Sequence, residues 1–415
     1  MMITGIAESI LPGGETLVRT EGHTMLVANA VPGDELSVRP LQKRRGVLRG
    51  EITTVNKPGP QRVSAECPVA GECGGCALQF LAPQSHAALK SAWVHDAFRA
   101  LIGVQTQWVE AETVAAASRR RVHWMVNRDE QGSFAGFYAH ASHRVIRHEQ
   151  CMVLTPGLQR LHSELLQHPA LLSGVQGIQA LELADGMHVV LEGAITEASG
   201  LPLMCADLPV QWWRRQDDVT RPLNRPVQRF HDRLPAGEQD ILLAVGPDDF
   251  VQGQEAGNRK LIALIQQWAG PVRRIADLFC GIGNLSLPLA VATGAELFGA
   301  ELNPASVRAA QTNAKRLGIN ASFVQANLFE DFNMEPYIGA DLLILDPPRR
   351  GAKRICSRIT HLMPKQIIMI SCDPAAGARD GVMLQQQGYQ LKALQALDLF
   401  AYAGHVESLS LWERA

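Results

Sequence analysis

Ser371-Cys372-Asp373-Pro374 follows the short apolar run Gln366 to Ile370. That run reads as a buried strand of a parallel sheet. Cys372 therefore falls at the strand's C-terminal tip, the edge where open α/β sheets place their chemistry. A thiolate is the strongest nucleophile a side chain offers near neutral pH, so the position invites a covalent step. The plain alternative is a buried structural cysteine. A second set of sulfurs lies far upstream. Cys67, Cys73 and Cys76 crowd into one glycine-rich loop, and Cys151 is the candidate fourth ligand. Zinc usually takes paired short spacings. Three clustered cysteines plus a remote one suit a [4Fe-4S] cluster better, with zinc as the alternative.

Four other positions end strands in the C-terminal part. Ile275-Ala-Asp277-Leu-Phe-Cys-Gly281-Ile-Gly283-Asn284 reads as strand, glycine turn and helix start, which lets a ligand approach the backbone at a helix N-terminus. Leu297 to Glu301 is a second strand ending in an acid, and an acid there suits the two hydroxyls of a ribose. Ala321 to Gln325 runs into Asn327, and Leu342 to Leu345 runs into Asp346-Pro347-Pro348-Arg349. No Lys-Ser/Thr pair follows the glycines, which argues against an NTPase.

The elements that must position these residues divide the chain in three. At 415 residues the chain is too long for one ordinary domain. Residues 1–58 carry short alternating runs punctuated by Pro12-Gly13-Gly14 and Pro32-Gly33-Asp34, which suits a small OB-type barrel. Seven basic residues (Arg39, Lys43, Arg44, Arg45, Arg49, Lys57, Arg62) and one acid, Glu51, lie between Arg39 and Arg62. This suits an RNA-backbone groove and equally a solvated face. Residues 59–245 form a central α+β domain holding the cysteines. A helical pattern spans 83–102, with Leu89, Trp93, Val94, Phe98 and Leu101 near one face. Trp212-Trp213-Arg214-Arg215 offers stacking on bases or plain packing. Residues 246–415 alternate strands and helices, a Rossmann-like α/β domain, with an amphipathic helix over Asn258 to Trp268.

Composition sets the class. Hydrophobic residues are 46% and charged residues 19%, which describes a globular protein with a sizeable core. A net charge of -2 leaves no global polycation, so nucleic-acid binding must rest on local patches. No apolar run approaches a membrane span, and the N-terminus does not read as a secretory leader. A cytoplasmic monomer with reduced cysteines, acting without a membrane, is the expectation.

Together these motifs resemble the RNA uracil-5 methyltransferase family over nearly the whole chain. Asp277 to Asn284 matches its S-adenosylmethionine (SAM) glycine motif, and Asp346-Pro-Pro-Arg349 its Asp-Pro-Pro-Arg motif. Ser371-Cys372-Asp373-Pro374 matches its Ser-Cys-Asn-Pro nucleophile motif with Asp for Asn, and Gly404-His-Val-Glu407 its base motif. Phe250-Val-Gln252 matches a cofactor-side motif, with Gln254 where the family usually has Asn. The four cysteines match iron–sulfur ligands, and the barrel resembles the TRAM domain of members acting on 23S rRNA, the branch most similar to this chain.

The resemblance implies SAM-dependent methylation of uridine C5 in 23S rRNA. Cys372 would add to uracil C6 and Glu407 would remove the C5 proton. Gln252, Phe279, Gly281, Glu301, Asn327 and Asp346 would line the cofactor side, and Asp346 could hold the uracil edge. Cys67, Cys73, Cys76 and Cys151 would carry a [4Fe-4S] cluster. The target base must leave its stack to enter such a pocket. A tRNA uracil-5 methyltransferase would use the same motifs. A non-catalytic RNA-binding protein would not need Cys372 and Glu407 intact. Amino-group RNA methyltransferases need no thiol and carry Asn-Pro-Pro-Tyr.

Overall fold

The computed structural model describes residues 2–414 except positions 42, 44, 45, 113, 114 and 196–199. Strands Ile3–Ile10, Thr16–Thr20, His23–Val27, Glu35–Pro40 and Arg49–Lys57 close into a barrel. Alternation along them turns Ala7, Val18, Met25, Val27, Leu36 and Val38 into one small core. The basic count overstates this barrel's free charge. Arg39 pairs with Glu51, Arg49 with Glu15, Lys57 with Glu35, and Arg62 with the buried Asp34. Acids remote in sequence arrive because the antiparallel register sets Arg39 against Glu51 and Glu35 against Lys57. Arg44 and Arg45 lie outside the described residues.

A second sheet runs in the order Met204–Cys205, Leu208–Gln216, Gly186–Gly193, Val175–Leu183, Arg121–Asp129, Gly132–Tyr138 and Val145–Ile146, with Val219–Pro222 paired to Leu208–Gln216. Helix Pro156–Gln167 packs on it through Leu158, Leu161 and Leu165. Trp212 is fully buried there and donates from Nε1 to the Pro202 carbonyl at 2.6 Å. Arg215 pairs with Glu192 at 2.7 Å and with Asp248. Packing and ion pairing thus use Trp212 and Arg215, two of the four groups that could stack on bases.

The third sheet carries the candidate chemistry. Its order is Ala321–Gln325, Glu296–Glu301, Arg274–Leu278, Leu342–Leu345, Gln366–Ser371, Glu407–Arg414, Tyr389–Leu397, Gln107–Val109. The first five strands are parallel, and Glu407–Arg414 runs antiparallel to both neighbours. Helices Glu255–Ala269, Ser286–Thr293 and Pro304–Leu317 cover one face, and His86–Phe98 and Pro374–Gln386 the other. That double cover is why Leu342–Leu345 is apolar at every position. Strand order reverses between Arg274–Leu278 and Leu342–Leu345, which opens a crevice at their C-terminal ends. Helix His86–Phe98 and strand Gln107–Val109 precede the second sheet in sequence yet pack on the third. No helix among the described residues is long and apolar enough to cross a membrane.

Candidate active site

Cys372 follows directly on Gln366–Ser371. Asp373 caps the next helix, Pro374–Gln386, its carboxylate accepting from Ala375 N at 3.0 Å and Ala376 N at 3.2 Å, with Pro374 at the first helical position. Asp and Asn are equally good N-caps, so the exchange at this position keeps the turn. Ser371 Oγ donates to the Asp373 carbonyl at 2.8 Å, holding the thiol-bearing turn from its other side. Glu407 opens the antiparallel strand. The ladder pairs Ser371 with Ser408, and one further step sets Cys372 opposite Glu407. Asp346 follows Leu345 on the parallel strand to the other side.

Three acidic groups therefore share one sheet edge. Glu407 is 8% exposed. Burial, and then the Asp346 charge, push its carboxyl up to about 8, with Arg349 opposing. Burial pushes the half-buried Cys372 thiol up to about 11, reinforced by Glu407, while Arg349 pulls it down. Burial alone lifts Asp346 to about 6. Arg349 donates from Nη2 to His405 Nδ1 at 3.2 Å, which holds the guanidinium at this edge.

The glycine turn lies across the crevice. Phe279 has φ 71° and Gly283 φ 84°, so the backbone is left-handed on both sides of Gly281. Phe279 N and Cys280 N both donate to the Ala300 carbonyl, at 3.0 and 3.1 Å. Glu301 joins the turn to the next loop, accepting from Gly281 N at 3.2 Å and from Asn303 N at 2.9 Å. Asn327, one strand further out, accepts from Phe329 N at 3.2 Å. Gln252 is buried on the segment before helix Glu255–Ala269, and its carbonyl accepts from Arg120 Nε at 3.0 Å. Gln254 donates to Ser118 Oγ at 2.8 Å. The structure thus brings Phe279, Gly281 and Glu301 into one turn, with Asn327 and Asp346 on flanking strand ends.

Asp277 was not singled out as a site residue. It is buried beneath the turn, and burial pushes its carboxyl up to about 7. The Ser286 hydroxyl lies near enough to oppose that shift without closing a hydrogen bond of normal geometry. An acid inside the apolar strand Arg274–Leu278 was the available signal. If the Glu301 carboxylate holds a ribose, Glu301→Gln should weaken SAM binding by about 1–3 kcal/mol, the range for an interrupted hydrogen-bonding group. An unchanged calorimetric Kd would move the ribose site elsewhere.

Cys67, Cys73, Cys76 and Cys151 line one small cavity whose walls include Ala70, Phe137, His148 and Val153. Cys73 N donates to the Val69 carbonyl at 2.8 Å, and Gly74 N to the Tyr138 carbonyl at 2.9 Å, which ties the loop to the second sheet. Burial pushes the Cys76 thiol up to about 12 and raises Cys73 and Cys151, and the cysteines raise one another. Among the described residues no three His, Cys, Asp or Glu side chains form a ready metal site. The sulfurs surround a space rather than meet at a point. An all-sulfur donor set lining one cavity fits a cationic metal core better than it fits water.

The loop leading into Glu407 is gripped from three sides. Lys90 and Asp398 form an ion pair at 2.7 Å with side chains 0% and 1% exposed, and Lys90 Nζ also donates to the Phe400 carbonyl at 2.9 Å. Leu78, two residues past Cys76, donates its N–H to the Tyr402 carbonyl at 2.9 Å. Gly13, at a barrel turn, donates to the Gly404 carbonyl at 2.8 Å. A Cβ on Gly404 would stand 2.5 Å from the Gly13 carbonyl carbon, so only glycine fits. The sequence pattern over 83–102 hid Lys90, a lone cation on the apolar face of that helix.

Comparison with known proteins gives three findings. The methyltransferase small domain family model matches residues 252–367. Over 439 residues the chain is 31% identical to the 23S rRNA (uracil(1939)-C(5))-methyltransferase RlmD of Marinomonas posidonica, covering 100% of this chain and 95% of that protein. It is 32% identical to the protein of the same name from Pseudomonas aeruginosa, covering 98% and 93%. Among solved structures it is similar to the Pyrococcus abyssi tRNA (uracil-54, C5)-methyltransferase in complex with S-adenosyl-L-homocysteine. There the TM-score is 0.73 at 19% identity, covering 99% of this chain and 100% of that one. That likeness shows a shared fold.

Proposed function

The chain belongs to the family of 23S rRNA (uracil-C5)-methyltransferases, and from that premise we propose that it methylates C5 of one 23S rRNA uridine through a covalent bond between Cys372 and uracil C6. The observation that carries the covalent step is the facing placement of Cys372 and Glu407 on adjacent strands beside the crevice.

Uracil C5 is a weak nucleophile. Addition of the Cys372 thiolate to C6 pushes the C5–C6 π electrons onto C5 and O4. SAM supplies an electrophilic methyl group, which C5 takes as the methyl–sulfur bond breaks. The Glu407 carboxylate then removes the C5 proton. The electrons of that C–H bond restore the C5–C6 double bond as the Cys372–C6 bond breaks and the thiolate returns. Burial holds the thiol and the carboxyl above their ordinary values, and both work in the deprotonated form. Arg349 is the cation placed to favour those forms. Asp346, between the crevice and the thiol, is positioned for the uracil edge. The N-terminal barrel of residues 1–58 is read as an RNA-contacting module.

The direct test incubates the protein with methyl-labelled SAM and either 23S rRNA or tRNA transcripts, then maps the labelled nucleotide. Label at one rRNA uridine C5 is expected. Label in tRNA alone would favour a tRNA uracil-5 methyltransferase, whose fold the chain shares. RNA binding with no label in either would leave a non-catalytic RNA-binding protein.

We infer that Cys67, Cys73, Cys76 and Cys151 hold a [4Fe-4S] cluster. The group would cross-link the 67–76 loop to the segment at Cys151. The loop in turn carries Leu78 and its bond to Tyr402. Anaerobically purified protein should be brown with about four irons per chain, and Cys73→Ser should lower soluble yield. Stoichiometric zinc without iron would overturn this assignment.

A further inference from the structure

We propose that His148 donates a ring N–H to a sulfur of the iron–sulfur cluster and thereby sets its reduction potential; this rests on the cluster reading above. His148 lies three residues before Cys151, and its ring lines the same cavity as the four cysteines. It is 5% exposed, and neither Nδ1 nor Nε2 closes a hydrogen bond of normal geometry, although the Ile146 backbone lies near one of them. Buried polar nitrogens are almost always paired, so two orphans on one ring point to a partner that belongs in the cavity.

The ring is held for that purpose. It stacks between Phe137, at 5.0 Å and 19°, and His162, at 4.4 Å and 15°, and Trp124 extends the stack beyond His162 at 5.2 Å. Both faces are therefore occupied, and only the ring edge is free to present an atom. His162 Nε2 donates to the Ala135 carbonyl at 2.9 Å, which fixes the far end of the stack. An imidazole carries an N–H in either neutral tautomer, so the ring always has a donor to offer. Gln79, Arg119 and Gln150 also line the cavity, and the Gln79 amide donates to Met152 Sδ at 3.3 Å, whereas the His148 ring nitrogens have no such bond.

A donor aimed at cluster sulfur stabilises the more negative, reduced form and raises the potential. A phenylalanine in place of His148 keeps a flat ring in the stack and removes only the donor. Anaerobic wild type and His148→Phe would be assayed for iron and sulfide and then titrated with dithionite, followed by electron paramagnetic resonance. About four irons are expected in both. At a fixed ambient potential the reduced-to-oxidised ratio should fall about tenfold in the variant, equivalent to about 59 mV for one electron.

An unchanged potential with a full cluster in both proteins would overturn the donor and leave the cluster standing. Loss of one iron with a three-iron signal would overturn it too, making His148 a ligand. Wild type without iron would sink the cluster and His148's role together. Should His148→Phe fail to load, the wild type alone decides. Its reduced cluster must show a strongly coupled proton that exchanges in deuterium oxide, and absence of that coupling refutes the proposal.

Discussion

Cys372→Ala forms no covalent RNA adduct and no product, whereas Glu407→Gln stops later and accumulates a protein–RNA adduct. The thiol acts first and leaves last, and the carboxylate acts between. With Gln at 407 the thiol still reaches C6 and the methyl group still transfers, but the C5 proton stays. The adduct should survive denaturing electrophoresis and carry label from SAM. Both variants lose at least about a thousandfold in turnover, and the double variant behaves like Cys372→Ala because the steps are sequential. A normal rate for Cys372→Ala would end the covalent mechanism. Normal turnover by Glu407→Gln without adduct would pass the base role to another group.

The same glutamate has a thermodynamic signature. Its folded value, about 8, lies above the ordinary carboxyl value of 4.5. A raised carboxyl contributes its stability fully below the unfolded value and loses it as pH rises through the folded one. Relative to wild type, Glu407→Gln should therefore gain stability between pH 4.5 and 8, on the order of 4 kcal/mol at pH 8 and close to nothing at pH 4. Parallel urea curves at both pH values would show no active-site burial penalty.

Lys90→Met should destabilise the fold by about 3–5 kcal/mol, because it leaves the Asp398 carboxylate buried and unpaired. Lys90→Met with Asp398→Leu should recover much of that loss in urea denaturation, since an apolar pair removes both charges. Activity should not recover with it. The Phe400 carbonyl also takes a hydrogen bond from Lys90 Nζ, so the loop before Glu407 stays slack and kcat falls while SAM affinity holds. Full recovery of kcat in the double variant would make the pair purely structural.

Much of the third sheet was legible because parallel strands are buried on both faces and announce themselves as apolar runs ending in polar tips. Cys372, Glu301 and Asp346 stand out for that reason. The juxtaposition of Cys372 with Glu407 was not legible locally. It depends on the last strand entering antiparallel in the register that pairs Ser371 with Ser408, and no spacing encodes that. The free charge of the basic stretch was not legible either, since Arg49 and Arg62 meet Glu15 and Asp34 from elsewhere in the barrel. Helix His86–Phe98 was legible as a helix but not as part of the third sheet, because its apolar face says what it needs to bury and not against which partner.

The turn at Gly13 rests on Gly404, far along the chain. Lys90 and Asp398 are likewise 308 residues apart in the chain. Neither contact can form until residues 398–404 have been made, and closing loops of that length comes late in folding. Glu407, the proposed base, follows the segment that these contacts shape. A nascent chain with every barrel and cofactor-side strand already made would still have no organised base. A chain that stops before residue 398 lacks both contacts, so the shape of this loop is a late product of folding.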